Sequence, residues 1–263
     1  MTLGDCFRGA WKDAGRSVLS RPILALAVFA LLLVPIYFNV ELSLAPRDST
    51  LAGLHSLPRA RLWVVIGTLV EYSAAAVMAV QVMRITVFSE GTWRAMGCFD
   101  SGLRRYVKIC VGFGAIVFAI LMVVSLATLI LVFGLHQSRS SVFPDMLAMI
   151  GLVVLAAVCF WVRLSLMFCN AALGGRATWR ETLRATRGHF WAITGAHFVT
   201  FLPLLLALVV LGILKHALAS VVSTDSLIFG LALAQSLVTL ASTCVSGACS
   251  GWLYRRFGSP LDV

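Results

Sequence analysis

Six long apolar runs, separated by gaps in which lysine and arginine are alternately dense and sparse, constrain this 263-residue chain more than any motif does. Residues 22–40, 109–135 and 226–254 hold no charged side chain, and each is long enough for a helix of about 20 residues to cross a hydrocarbon core. Two further runs, 62–88 and 146–173, are interrupted by Glu71 and Arg163, and 190–214 holds only His197 as a titratable group. The fold class that follows is all-α: a polytopic helical membrane bundle with six transmembrane helices. The predicted spans are 22–43, 62–88, 109–135, 146–173, 191–214 and 227–252. Little chain remains between them, so 1–263 reads as a single integral membrane domain.

Charge sets the orientation. The formal net charge of +10 would suggest nucleic acid in a soluble protein, but its distribution assigns it to membrane topology. With the N-terminus in the cytosol, fifteen basic residues fall inside: Arg8, Lys12, Arg16, Arg21, Arg84, Arg94, Arg104, Arg105, Lys108, Arg176, Arg180, Arg184, Arg187, Arg255 and Arg256. Only Arg47, Arg59, Arg61, Arg139 and Lys215 fall outside, which predicts both termini in the cytosol. The first apolar run exceeds the usual 7–15 residues of a signal-peptide core, and Pro46 follows its nearest small-residue site, so an uncleaved first helix is expected. Trp93, Trp179, Trp191 and Trp252, with Trp161 nearby and Trp63 at the other face, form an aromatic belt. Charged residues make up 12% of the chain, and no cofactor, metal site or nucleic-acid partner is expected. The seven cysteines include no C-x-x-C pair and read as small apolar packing residues.

Short amphipathic helices are predicted at the interface before spans 1, 3 and 5. Thr2 and Asp5 begin the first, with Phe7, Trp11, Ala14 and Val18 on its apolar stripe. Phe99, Leu103 and Tyr106 alternate with Arg104, Arg105 and Lys108 before the third span. Thr178 and Glu181 form a capping box before the fifth, and Gly188 provides a stop. Basic faces of this kind attract anionic head groups, at about 1 kcal/mol per Lys or Arg. Recurrence of helix plus hairpin suggests three related units, with Arg84-Ile-Thr-Val-Phe and Arg163-Leu-Ser-Leu-Met-Phe in matching places.

Glu71 is the sharpest candidate, an acidic residue about 13 Å along its span from the outer end. Gln235 and Thr239 in the sixth span lie at a matching depth and could complete a polar site by hydrogen bonding. The readings are proton or cation coupling, or a polar clamp between helices. Arg84, Arg163, Arg180, Arg184 and Arg187 are candidate head-group contacts, the first two by snorkelling from the inner ends of their spans. Gly247 and Gly251 make a G-x-x-x-G for close helix packing, within the bundle or between subunits. Pro35 and Pro203 are expected to kink spans 1 and 5. No nucleotide-binding loop, H-E-x-x-H or cluster of catalytic carboxylates occurs, and the serines near 242–250 have no histidine partner. An enzyme is not expected.

The stretch Leu183-Arg184-Ala185-Thr186-Arg187-Gly188-His189-Phe190-Trp191 resembles a recurring segment of uncharacterised bacterial six-span inner-membrane proteins. It is similar to the membrane region accompanying glycerophosphodiester phosphodiesterases, as is Phe7-Arg8-Gly9-Ala10-Trp11-Lys12-Asp13. The resemblance implies a multi-pass protein of a bacterial inner membrane and carries over no catalytic residue. The expected role is a non-enzymatic envelope or lipid-linked scaffold; the alternatives are a small-solute or lipid transporter that uses Glu71, or the membrane subunit of a separate enzyme. Its partners are then the bilayer, with anionic lipids at the cytoplasmic face, and a second copy or another membrane protein.

Overall fold

A computed structural model describes residues 3–44, 57–88, 97, 99–134, 139–218 and 225–258. Thr2, Arg47, Trp93, Arg94 and Cys98 lie outside the described residues, as do the side chains of Arg59, Arg61, Trp63 and Arg139. All regular structure in the described residues is helical: α1 Leu3–Ser20, α2 Pro22–Leu44, α3 Leu57–Val87, α4 Ser101–Gly134, α5 Arg139–Ala172, α6 Trp179–Ala185, α7 Phe190–Leu218 and α8 Asp225–Phe257. Six of these, α2 to α5 with α7 and α8, are long and apolar enough to cross a membrane. The chain is a multi-pass helical membrane protein. Helix formation needs little explanation, because hydrocarbon offers the backbone no hydrogen-bond partners and a helix satisfies them internally.

α8 is the centre of the bundle and packs against α1, α2, α3, α5 and α7. Its small residues make this possible. A Cβ on Gly247 would come within 3.0 Å of the Ala79 carbonyl oxygen, and one on Gly251 within 2.8 Å of Thr86 Cβ. Both glycines therefore lie against α3, inside one bundle. In lipid, where apolar side chains gain little by leaving the solvent for each other, such backbone proximity is what favours association. α2 joins the core through one stripe, Ala25, Val28, Leu32, Ile36 and Val40.

The remaining spans are less enclosed. α4 and α5 form a hairpin in which α4 packs mainly against α5, and α5 also meets α3, α6, α7 and α8. Leu103 and Tyr106 are buried near the start of α4, yet no described side chain between 107 and 127 is. On α5, nothing between 147 and 161 is buried, while nearly everything from Val162 to Leu173 is. The hairpin is thus embedded at the end where α3 and α8 finish and α4 begins, termed the basal end. Its far half has no protein cover among the described residues.

Two expectations about the amphipathic segments change. α1 turns its small-residue face to the protein: Cys6, Ala10, Ala14 and Ser17 are buried. Trp11 Nε1 donates to the Thr200 carbonyl of α7 at 3.3 Å, and Trp252 Nε1 of α8 donates to Asp13 at 2.8 Å. The Phe7 and Trp11 stripe is one helical position away from the face that packs, because small residues allow closer approach. Before the third span no separate helix occurs in the described residues; Arg104, Arg105 and Lys108 sit in the first turns of α4 itself. The segment before the fifth span forms α6, with the Thr178–Glu181 capping box present and Gly188 at φ +85°.

Candidate functional site

Two polar places stand out in this apolar chain, one at the basal end and one between α2 and α3. The basal place is built around Arg84. Its side chain is fully buried (0% exposed), and every branch of the guanidinium is used. Nε donates to the Ala172 carbonyl at 2.9 Å, Nη1 to the Gly97 carbonyl at 2.9 Å, and Nη2 to both Asp100 oxygens at 2.7 Å. Asp100 also accepts the Leu103 N–H at 3.0 Å, so the same carboxylate caps α4 and pairs with α3. Burial would raise this carboxyl, but the Arg84 hydrogen bond, the Leu103 N–H and the guanidinium charge outweigh it, holding the group below its usual range. Gly102 makes the approach possible: a Cβ there would lie 2.6 Å from Arg84 Nη2 and 2.8 Å from the Ala172 oxygen.

Neighbouring contacts extend this fastening. Arg105 donates to the Gly174 carbonyl, and to that of Gly175 at 3.2 Å. Gly174 takes φ +96°, which glycine adopts without steric cost. Asn170 donates to the Tyr254 hydroxyl at 3.0 Å and accepts the Ala177 N–H at 2.9 Å. The base of the α4–α5 hairpin is in this way tied to α3 by Arg84 and to α8 by Asn170. The expected snorkelling of Arg84 is replaced by a buried pairing, because Asp100 and two carbonyls reach it before any head group could. Arg163 is half-buried, its guanidinium 5.4 Å from the Phe190 ring centroid and its Nε without a hydrogen-bond partner. Arg180, Arg184 and Arg187 are exposed, as head-group contacts need to be.

The second place is a groove of about 290 Å³ between α2 and α3. Leu31, Val34, Pro35 and Phe38 form one wall, Ile66, Gly67 and Val70 the other, with Asn39, Thr68 and Glu71 as its polar members. Val34 and Phe38 are more than half exposed, so the groove opens sideways, away from the bundle centre. Gly67 sets the spacing, since a Cβ there would meet Pro35 Cβ at 2.9 Å. Pro35 interrupts the α2 ladder, because it has no N–H for the Leu31 carbonyl one turn earlier.

Glu71 belongs to this groove, and no described residue hydrogen-bonds or ion-pairs with it. The expected Glu71–Gln235 hydrogen bond is not made: Gln235 Oε1 is buried without a partner, and Thr239 accepts through its carbonyl from Thr243 Oγ1 within α8. Matching depth did not bring them together because Glu71 turns toward α2, while α8 lies on another side of α3. Gln81 was missed from sequence. It is almost fully buried on α3, one turn before Arg84, and neither of its amide atoms has a partner. His197 Nε2 and Ser165 Oγ are in the same condition. Among the described residues no cluster of three His, Cys, Asp or Glu is placed to hold a metal ion.

The chain matches no family model, no curated protein and no solved structure.

Proposed function

We propose that this chain is a non-enzymatic scaffold of a bacterial inner membrane, linked to lipid through a basic cytoplasmic face, with both termini in the cytosol. The observation that carries the reading is the α4–α5 hairpin, fastened at its base by Arg84, Asp100 and Asn170 and, among the described residues, uncovered over its far half. A helix pair held this way offers two apolar flanks to neighbours in the bilayer. Exposed Arg176, Arg180, Arg184 and Arg187 around α6, with Arg8, Lys12 and Arg16 on α1, supply attraction for anionic head groups. The resemblance to bacterial six-span inner-membrane proteins fits the same reading.

The test is photo-crosslinking in the native membrane from a reactive residue replacing Leu155, with one replacing Leu237 on α8 as the comparison. The scaffold reading expects a discrete protein adduct from position 155. Adducts with lipid alone from both positions would overturn it. If the captured protein is an enzyme, the chain is the membrane subunit of that enzyme, the variant of this reading already named.

A transporter that couples through Glu71 is the second reading, favoured by the groove. It requires water at the carboxyl during the cycle. Rapid labelling of Glu71→Cys by a membrane-impermeant thiol reagent would support transport, and protection from both sides would remove it.

A further inference from the structure

The Glu71 groove has an unusual chemistry for an opening that faces hydrocarbon. Among the described residues its polar lining is rich in acceptors and holds no Lys, Arg or His. The Glu71 carboxyl sits in the wall with no cation beside it among the described residues. An ionised carboxylate in a bilayer is costly unless a partner of opposite charge reaches it. Pro35 adds a second acceptor, because the Leu31 carbonyl, one turn away on the same wall, receives no helical N–H from it. Asn39 lies two turns from Leu31 along α2, at the other end of the groove. Two acceptors at one level, with an apolar trough beside them, suit donors and positive charge at one end of a ligand and hydrocarbon at the other.

We infer that the groove between α2 and α3 binds an amphiphile whose head is a protonated amine, its ammonium on Glu71 and the start of its chain against Leu31 and Val34, leaving through the open side into the bilayer. The volume, about 290 Å³, lies at the lower limit of ligand pockets, which suits one head group and the first part of a chain. Entry is lateral, from the bilayer, since the exposed walls face away from the other helices. A neutral hydroxyl head would leave the carboxylate charge unmatched, and a carboxylate head would repel it. The inference goes beyond the scaffold role and does not need it: loss of amine binding would leave a position-155 crosslink untouched.

The experiment uses the full chain in phosphatidylcholine vesicles with three spin-labelled probes of equal chain length: a fatty amine, a fatty alcohol and a fatty acid. The measured quantity is the motionally restricted fraction of each. Amine should be preferred over alcohol by about tenfold, as expected for a hydrogen-bonded ion pair in a partly desolvated site. Glu71→Gln should abolish that preference, while Glu41→Gln, which removes an exposed carboxylate of α2 outside the groove, should keep it. Gly67→Leu fills the trough and should release amine and alcohol alike. Equal retention of amine and alcohol by the unaltered chain overturns the inference, and so does an amine preference that survives Glu71→Gln. The first comparison needs no variant, so a poorly folding substitution cannot leave the question open.

Discussion

The α3–α8 interface and the α4–α5 hairpin are both made of long apolar helices, yet they have opposite surroundings. α3 and α8 approach until Gly247 and Gly251 touch backbone and side chains of the opposite helix. α4 and α5 carry large side chains over their far halves, among them Phe118, Met122, Leu152 and Leu155, and leave them exposed. In water the second pair would collapse inward to bury those side chains. In a bilayer lipid tails serve them as well as protein does, so side-chain size and polar contacts decide which helices meet. The contrast teaches that the hairpin is positioned at its base, by the hydrogen bonds of Arg84, Asp100 and Asn170 together with the buried side chains from Val162 to Leu173, and not along its far half.

The strongest way to break the contrast is to cut the fastening. Asp100→Ala leaves the Arg84 guanidinium buried without its counter-charge, and should cost about 3 kcal/mol in unfolding measured in detergent micelles. The double change Arg84→Met with Asp100→Ala should cost less than the sum of the single ones, since no orphaned charge remains. Acid gives an independent reading. The Asp100 carboxyl is held below its usual range when folded, so its contribution is complete above the unfolded value of about 4 and fades as pH falls through the folded one. Unaltered protein should therefore lose more stability than Asp100→Ala between neutral pH and strongly acidic pH. Equal losses would show that the pair does not hold the hairpin.

Next in size is the tight interface itself. Gly251→Leu forces a side chain toward Thr86 and the Met83 carbonyl, and should destabilise by about 2 kcal/mol through overpacking. The same substitution at Gly112 of α4, where a Cβ would meet nothing within 4 Å, should be tolerated. Gly9→Leu tests the docking of α1 and should be intermediate. Its Cβ would lie 2.5 Å from the Trp252 ring, whose N–H holds Asp13, so some strain can be relieved by moving α1 away. Thermal unfolding of the three variants side by side checks the order.

These effects also mark how far sequence reasoning reached. The six spans were legible because twenty apolar residues in a row have few alternatives, although α4 and α5 begin eight and seven residues before the expected 109 and 146. The α6 capping box was legible because its two partners are three residues apart. The destination of Arg84 was not, since its partner Asp100 lies in a connection and its other contacts are backbone carbonyls, which sequence does not distinguish. Nor could the stripe on α1 reveal whether it faced lipid or protein, because both are apolar. Glu71 was found as an unusual residue, but Leu31 and Pro35 across the groove belong to another helix, and pairing of helices in lipid leaves almost no compositional trace. The expected partner Gln235 failed for that reason: equal depth fixes one coordinate and leaves rotation about the helix axis undetermined.

The smallest predicted effect bears most directly on function. Leu155→Ala removes a large apolar side chain from the uncovered half of α5, and acyl chains can fill the space. In detergent the change should cost less than about 0.5 kcal/mol, as for other exposed positions, against the 2 to 5 expected of a buried leucine. The same substitution in native membranes separates two states of the hairpin. If lipid alone surrounds it, stability there is equally indifferent. If a partner helix packs on it, as the scaffold reading requires, Leu155→Ala should weaken that association while leaving the isolated chain unchanged. A cost present in the membrane and absent in detergent would place the partner on this flank, and indifference in both would leave the hairpin to the lipid.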